Sequence, residues 1–152
     1  MKDNLVKILA IFLLTFLIGC TKNLGENFEV ISIGNGEKSI KINAEIADDY
    51  EEKTKGLMFR EKLNENEGML FIFDDEDYQT FWMKNTLIPL DIIFIDKNLE
   101  IVDIKNAVPC KDEPCALYKS SKPAKHVLEV NGNFTAKKDI RIGDRITLNK
   151  RG

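Results

Sequence analysis

Histidine is nearly missing from this chain of 152 residues, with His126 the only one. Cysteine (three), proline (four) and tryptophan (one) are also scarce. Neither sign of charge dominates, with 22 lysines and arginines against 25 aspartates and glutamates. Each shortage removes a class of function. A metal centre takes about four ligands, and a single imidazole offers little toward one. No Ser-His-Asp order, His-Glu-x-x-His helix or Walker loop is present. A net charge of −3 lacks the clustered basic residues that nucleic-acid binding needs. So few cysteines cannot staple a fold together, and the apolar share of 43% is enough for a genuine hydrophobic core. Beyond the N-terminal run there is no low-complexity tract, and no internal repeat.

What is present begins at the N-terminus. Lys2 and Lys7 supply a positive start, Leu5 to Ile18 an apolar run, and Gly19 precedes Cys20. The run is shorter than the roughly 20 residues a bilayer-spanning helix takes. The pattern predicts a lipoprotein signal peptide over residues 1–19, cleaved so that Cys20 is acylated and becomes the mature N-terminus. An uncleaved N-terminal anchor is the competing reading. Acyl chains contribute roughly 0.8 kcal/mol per buried methylene, so two or three make attachment effectively permanent. Residues 20–27 are then a polar tether reaching on the order of 15 Å, and residues 28–152 a single globular domain. Loss of Lys2, Lys7 and Asp3 leaves 20 basic and 24 acidic residues, a net charge of −4. The expected location is extracytoplasmic, with the lipid membrane as partner through Cys20 and no attraction to anionic headgroups.

Along the domain, Phe28 to Ile33 and Ile40 to Ile46 alternate on either side of Asn35-Gly36, the pattern of a β-hairpin. Asp48 is placed as a helix N-cap with Asp49, Glu51 and Glu52 in the first turn, and Gly56 as the stop after Lys55. Strands are predicted at Met69–Phe73, Thr80–Lys84, Leu90–Ile95, Leu99–Lys105, Lys125–Val130 and Arg145–Leu148, with one helical turn over 133–138. The near-continuous apolar run Leu90–Ile95 reads as a central strand buried on both faces. Asn106 to Pro123 reads as a long loop. The expected fold is mainly β: a compact β-sandwich or barrel-like domain of about eight short strands with one principal α-helix.

Three clusters carry potential chemistry. In Phe81-Trp82-Met83-Lys84-Asn85-Thr86, the strand end offers an ammonium, an amide and a hydroxyl beside an aromatic wall, and Asp91 follows in an apolar strand where it must be paired or solvated. A Lys84–Asp91 ion pair would satisfy both groups, either as a polar anchor at a pocket mouth or as structure alone. Arg60, after Gly56-Leu57-Met58-Phe59, offers a rigid fork to a carboxylate or phosphate, or pairs locally with Glu61 or Glu67. Cys110 and Cys115, left over once Cys20 is lipidated, most simply form a disulfide outside the cytoplasm; a redox-active pair and a metal site compete. Tyr118 shares their loop. His126, alternating with Leu128 and Val130, reads as a satisfied strand histidine. No metal or cofactor is expected.

Lys55-Gly56-Leu57-Met58-Phe59-Arg60, Gly68-Met69-Leu70-Phe71, Phe81 to Thr86, Pro89-Leu90-Asp91, Pro109-Cys110, Pro114-Cys115, Val127-Leu128-Glu129-Val130 and Gly143-Asp144 together form a set. In these motifs, from about Ile40 to Leu148, the chain resembles the bacterial and archaeal domain of unknown function 192. The resemblance implies one compact β-rich domain, commonly exported or membrane-linked, and no particular reaction. Members with a cysteine loop often carry proline after the second cysteine, where this chain has Ala116. The functional expectation is a membrane-anchored binding module for a small molecule, glycan or protein in the cell envelope, with Arg60, Trp82, Lys84, Asn85, Thr86, Asp91 and Tyr118 as candidate binding residues. The alternatives are an envelope enzyme using Asp91 and Lys84 as acid and base, or an assembly factor, which would expose an apolar patch.

Overall fold

The computed structural model describes residues 28–34 and 39–149. The signal segment, Cys20, the tether and the Asn35-Gly36 turn lie outside them. Among the described residues, nine strands and two short helices follow in the order β1 (Phe28–Ile33), β2 (Ile40–Ala47), α1 (Tyr50–Lys55), β3 (Glu67–Asp77), β4 (Thr80–Trp82), β5 (Leu90–Ile95), β6 (Ile101–Ala107), β7 (Leu117–Lys119), β8 (Ala124–Asn131), α2 (Phe134–Lys138) and β9 (Ile146–Asn149). The fold is therefore mainly β, as its alternating segments predict. Seven strands form one sheet in the order β6-β5-β8-β3-β2-β1-β9, while β4 and β7 form a separate ribbon. The β1–β2 pair is antiparallel and β2–β3 is parallel. The large sheet curls into a half-barrel. It curls far enough that its two edges meet, with a bridge between Glu100 and Arg145 just ahead of β6 and β9.

The curl divides the interior in two. One face packs Ile31, Ile33, Ile42, Leu70, Ile93, Ile95, Leu128 and Val130 with Phe134 of α2. The other packs Phe71, Ile92, Phe94 and Val127 with Leu57, Met83 and Phe81, which come from the α1–β3 connection and the β4 region. Every residue of β5 is buried, so its unbroken apolar sequence reflects coverage on both faces. Phe81 is the hub of the second core, edge-on to Phe71 at 5.0 Å, Phe94 at 6.0 Å and Phe73 at 6.5 Å between ring centroids. Such edge-to-face pairs contribute about 0.5–1.5 kcal/mol each beyond burial.

Several expected boundaries move for identifiable reasons. The N-cap of α1 is Asp49, not Asp48: its side chain accepts the Glu52 amide at 2.8 Å, while Glu52 reaches back to the Asp48 amide at 3.2 Å. This reciprocal arrangement needs the three-residue spacing between Asp49 and Glu52. Leu99 adopts φ +64° and belongs to the turn, so β6 starts at Ile101. The predicted loop from Asn106 to Pro123 contains β7, whose three residues are too few for a periodic signal. It exists because Tyr118 and Leu117 pair with Phe81 and Trp82 of β4.

Candidate functional site

The second core is not fully closed. Between α1 with its following turn, Phe71 of β3 and the end of β4 runs a narrow cleft of about 40 Å³, whose lining includes Gly56, Met58, Phe71, Phe81, Trp82, Thr86 and Glu129 together with Lys53 and Lys55 of α1. Glu129 lies on β8, where register sets it opposite Met69 on one side and Ile92 on the other. Its side chain is therefore placed among apolar neighbours, and it is only 5% exposed. No described residue donates a hydrogen bond or pairs a charge with it. Burial alone pushes its carboxyl up to about 8, since the apolar surroundings penalise the ionised form.

One glycine opens the cleft, and a second sets the strand packing behind it. Gly56 ends α1 at φ +48°, and a Cβ there would stand 3.2 Å from Cζ of Phe71 and 4.0 Å from Oε2 of Glu129. Only glycine leaves the carboxyl this opening. Gly68 lets β3 lie hard against β8, because a Cβ would come within 2.5 Å of the Glu129 carbonyl oxygen. Trp82 stands at the rim, 47% exposed, with the Lys84 ammonium 5.4 Å from its ring centre. Thr86 is buried; its hydroxyl donates only a long 3.4 Å contact to the Lys84 carbonyl.

The candidate binding residues drawn from the sequence do not converge. Trp82 and Thr86 line the Glu129 cleft. Lys84 does not pair with Asp91; it bridges Glu113 of the cysteine loop at 2.9 Å. Asp91 is fully buried on the opposite face of the sheet, away from any pocket mouth. It accepts from Asn106 Nδ2 at 2.7 Å, the Asn133 amide at 3.0 Å, the Thr135 amide at 2.8 Å and the Thr135 hydroxyl at 2.7 Å. Alternation along β5 is the physical reason: Asp91 points to the face of Ile93, where the start of α2 presents amides to a carboxylate. Arg60 forms a two-pronged ion pair with Glu45 of β2, not with Glu61 or Glu67. Asn85 is exposed at φ +56°, and its carbonyl accepts the Phe59 amide at 2.8 Å.

Tyr118 belongs to a second, broader depression of about 630 Å³, shared with Met83, Val108, Pro109, Cys110 and Ala116. Its hydroxyl accepts the Val108 amide at 3.2 Å. Cys110 and Cys115 are joined as a disulfide with Cα atoms 5.4 Å apart. No unpartnered buried polar group points into this depression among the described residues. His126 is largely buried, and burial draws its imidazole below the ordinary value despite a contact to the Asp96 backbone; Nδ1 has no partner among the described residues. Among the described residues no cluster of His, Cys, Asp and Glu is arranged to hold a metal ion, and no helix is long and apolar enough to cross a membrane. Glu129 is the site residue not singled out from the sequence. Its signal was a lone carboxyl inside Val127-Leu128-Glu129-Val130, the same sign that marks Asp91.

Known proteins share this architecture. The UPF0127 protein PF1050 of Pyrococcus furiosus is 25% identical over 118 residues, spanning 74% of this chain and 92% of its own. A crystal structure of a protein of unknown function from Novosphingobium aromaticivorans superposes with a TM-score of 0.75 at 34% identity, covering 85% of this chain and 91% of that one. Another, described as a candidate transcription regulator from Sinorhizobium meliloti 1021, gives 0.74 at 32% identity, covering 80% and 93%. The sequence profile of DUF192, a family described only as uncharacterised, matches residues 31–148, which adds the second half of β1 to the span that the motifs cover. With the profile covering all but the N-terminal segment and the last few residues, the chain belongs to the DUF192 family.

Proposed function

We propose that the chain is a lipid-anchored, extracytoplasmic binding module whose small-molecule site is the Glu129 cleft. The observation that carries the reading is a buried carboxyl with no partner among the described residues, held open to the outside by a glycine and rimmed by a half-exposed tryptophan. Folding leaves such a group unsatisfied at a cost of about 1–3 kcal/mol, which a structural residue would not need to bear. Binding sites bring a few polar groups into an apolar recess, and Glu129 and Thr86 stand in that relation to Phe71, Phe81 and Trp82. The anchoring half of the reading rests on the lysines, apolar run and Gly19-Cys20 of the N-terminus. The acidic balance of the chain speaks against a nucleic-acid partner.

A protein partner is the second reading, favoured by one observation. Trp82 and Leu117 sit opposite each other on β4 and β7, and both are exposed. The cleft reading is preferred because a docking patch gives no reason for a buried unpartnered acid. A fragment screen followed by amide and indole NMR shifts tests it. Fragments should perturb the Trp82 indole and Gly56 amide together; a chemically diverse set that moves neither overturns the small-molecule site. For the anchor, Cys20→Ala should move the protein out of the membrane fraction or trap its precursor, and unchanged fractionation sinks that half.

A further inference from the structure

Resting on the binding reading above, we propose that the group the cleft takes is the terminal ammonium of an unbranched amine. Size decides first. About 40 Å³ accommodates one group of water or ammonium dimensions and leaves no room to bury a sugar ring. The bulk of any ligand therefore lies outside, and only a slim tip enters. The tip meets one carboxyl, the Thr86 hydroxyl, the rings of Phe71, Phe81 and Trp82, and the thioether of Met58, while the Thr54 hydroxyl is committed to the Tyr50 carbonyl. A carboxylate beside aromatic rings favours a cation, because the carboxylate attracts positive charge and repels an anion, and any ring face that the cation lies over adds to the attraction. The rim already behaves this way toward the chain's own Lys84, whose ammonium lies over Trp82.

The other charged side chains that line the cleft are Lys53 and Lys55 of α1. Lys53 does not serve Glu129: its ammonium donates to the Ile72 carbonyl at 2.9 Å and lies 5.4 Å from the Phe73 ring centre. Lys55 is exposed on α1 and contributes nothing to the electrostatics of Glu129, which burial alone governs, so the carboxyl is left to an external partner. With burial pushing its carboxyl up to about 8, Glu129 holds its proton near neutral pH, so an entering ammonium displaces that proton to solvent and leaves an ammonium–carboxylate pair. A neutral hydroxyl would leave the proton in place. The two occupants therefore carry opposite pH signatures.

The test is calorimetric titration of the detergent-solubilised full chain with 1,5-diaminopentane, against 1-pentanol and pentanoate, from pH 6 to pH 9. The amine should bind, with affinity rising about tenfold from pH 6 to pH 7, levelling above pH 8, and close to one proton released at pH 6. Glu129→Gln should weaken it at least tenfold, and Trp82→Leu, at a half-exposed position that tolerates change, several-fold. If 1-pentanol binds instead, loses affinity above pH 8 and depends on Glu129, the ammonium assignment fails while the cleft remains a binding site. If the amine binds without a pH slope and without dependence on Glu129 or Trp82, the assignment also fails. If no probe binds and Glu129→Gln changes nothing, both the ligand class and the cleft reading fall.

Discussion

Asp91 and Glu129 are two buried carboxyls on adjacent strands, one register position apart: Asp91 faces Val130, and Ile92 faces Glu129. They emerge on opposite faces of the same sheet and meet opposite fates. Asp91 receives four hydrogen bonds, three of them from the start of α2. Glu129 receives none from the described residues and is pushed up to about 8 by burial. A carboxyl whose acceptor sites are filled by its own chain ties elements together. One without a partner among the described residues, at the end of a cleft, is available to something else. Burial alone would have classed them as alike; satisfaction separates them.

The sharpest way to break that comparison is at Asp91. Asp91→Ala leaves the buried Thr135 amide and hydroxyl without their acceptor, and takes the same acceptor from the more exposed Asn133 and Asn106 amides. The expected loss is on the order of 3–5 kcal/mol, read by urea denaturation of the variant beside the parent. It should detach α2 from the sheet, since that helix has five residues and no side-chain cap of its own. A loss under about 1 kcal/mol would mean that Asp91 is no tie at all.

Glu129 should behave in the reverse sense. Its folded value of about 8 lies above the ordinary 4.5, so the folded state holds a proton that the unfolded state gives up. Stability attributable to this group is therefore full below about pH 4.5 and falls as pH rises, flattening once pH passes about 8. The difference in unfolding free energy between the parent and Glu129→Gln should grow by on the order of 3–4 kcal/mol between pH 5 and pH 8, in favour of the variant. A pH-independent difference would show that the carboxyl is satisfied after all.

Much of this frame was legible in the sequence, because it depends on local pattern. The run Leu90–Ile95 states its double burial, Gly56 its helix stop, and the two alternating segments their hairpin. The partners of charged groups were not legible, because they depend on which face meets which element across the curl. Lys84 and Asp91 are seven positions apart and look like a pair, yet strand alternation and the cysteine loop send them to different sides. Arg60 finds Glu45, a residue two elements earlier, and no local spacing announces that. Glu129 carried the same signal as Asp91, but the emptiness of its surroundings is a property of Gly56, Phe71 and Trp82 arriving together.

The disulfide gives an intermediate control. Closing so short a loop contributes roughly 2 kcal/mol through the unfolded state. Cys110→Ser should lower the melting temperature under oxidising conditions and leave it unchanged relative to the parent in reductant. It should not alter the pH slope assigned to Glu129, because the loop lies against Met83 and Tyr118 and not against β8. An altered slope would mean that the loop covers the cleft and contributes to the burial of the acid.

The smallest effect is expected at Lys84, and it bears on the comparison most directly. Were Lys84 the counter-ion of Asp91, removing it would strand a buried charge and cost about 3–5 kcal/mol. Its partner is instead Glu113, across a bridge in which both side chains are substantially exposed, and water takes the place of either charge when the other is lost. Lys84→Met, which keeps the aliphatic stem against Trp82, should change stability by less than about 1 kcal/mol and should lose what remains of the effect in high salt. The same variant frees the outer face of Trp82 from its resident ammonium, so binding of an external amine should be unchanged or slightly stronger. A large destabilisation would return Lys84 to Asp91 and end the contrast between the two carboxyls.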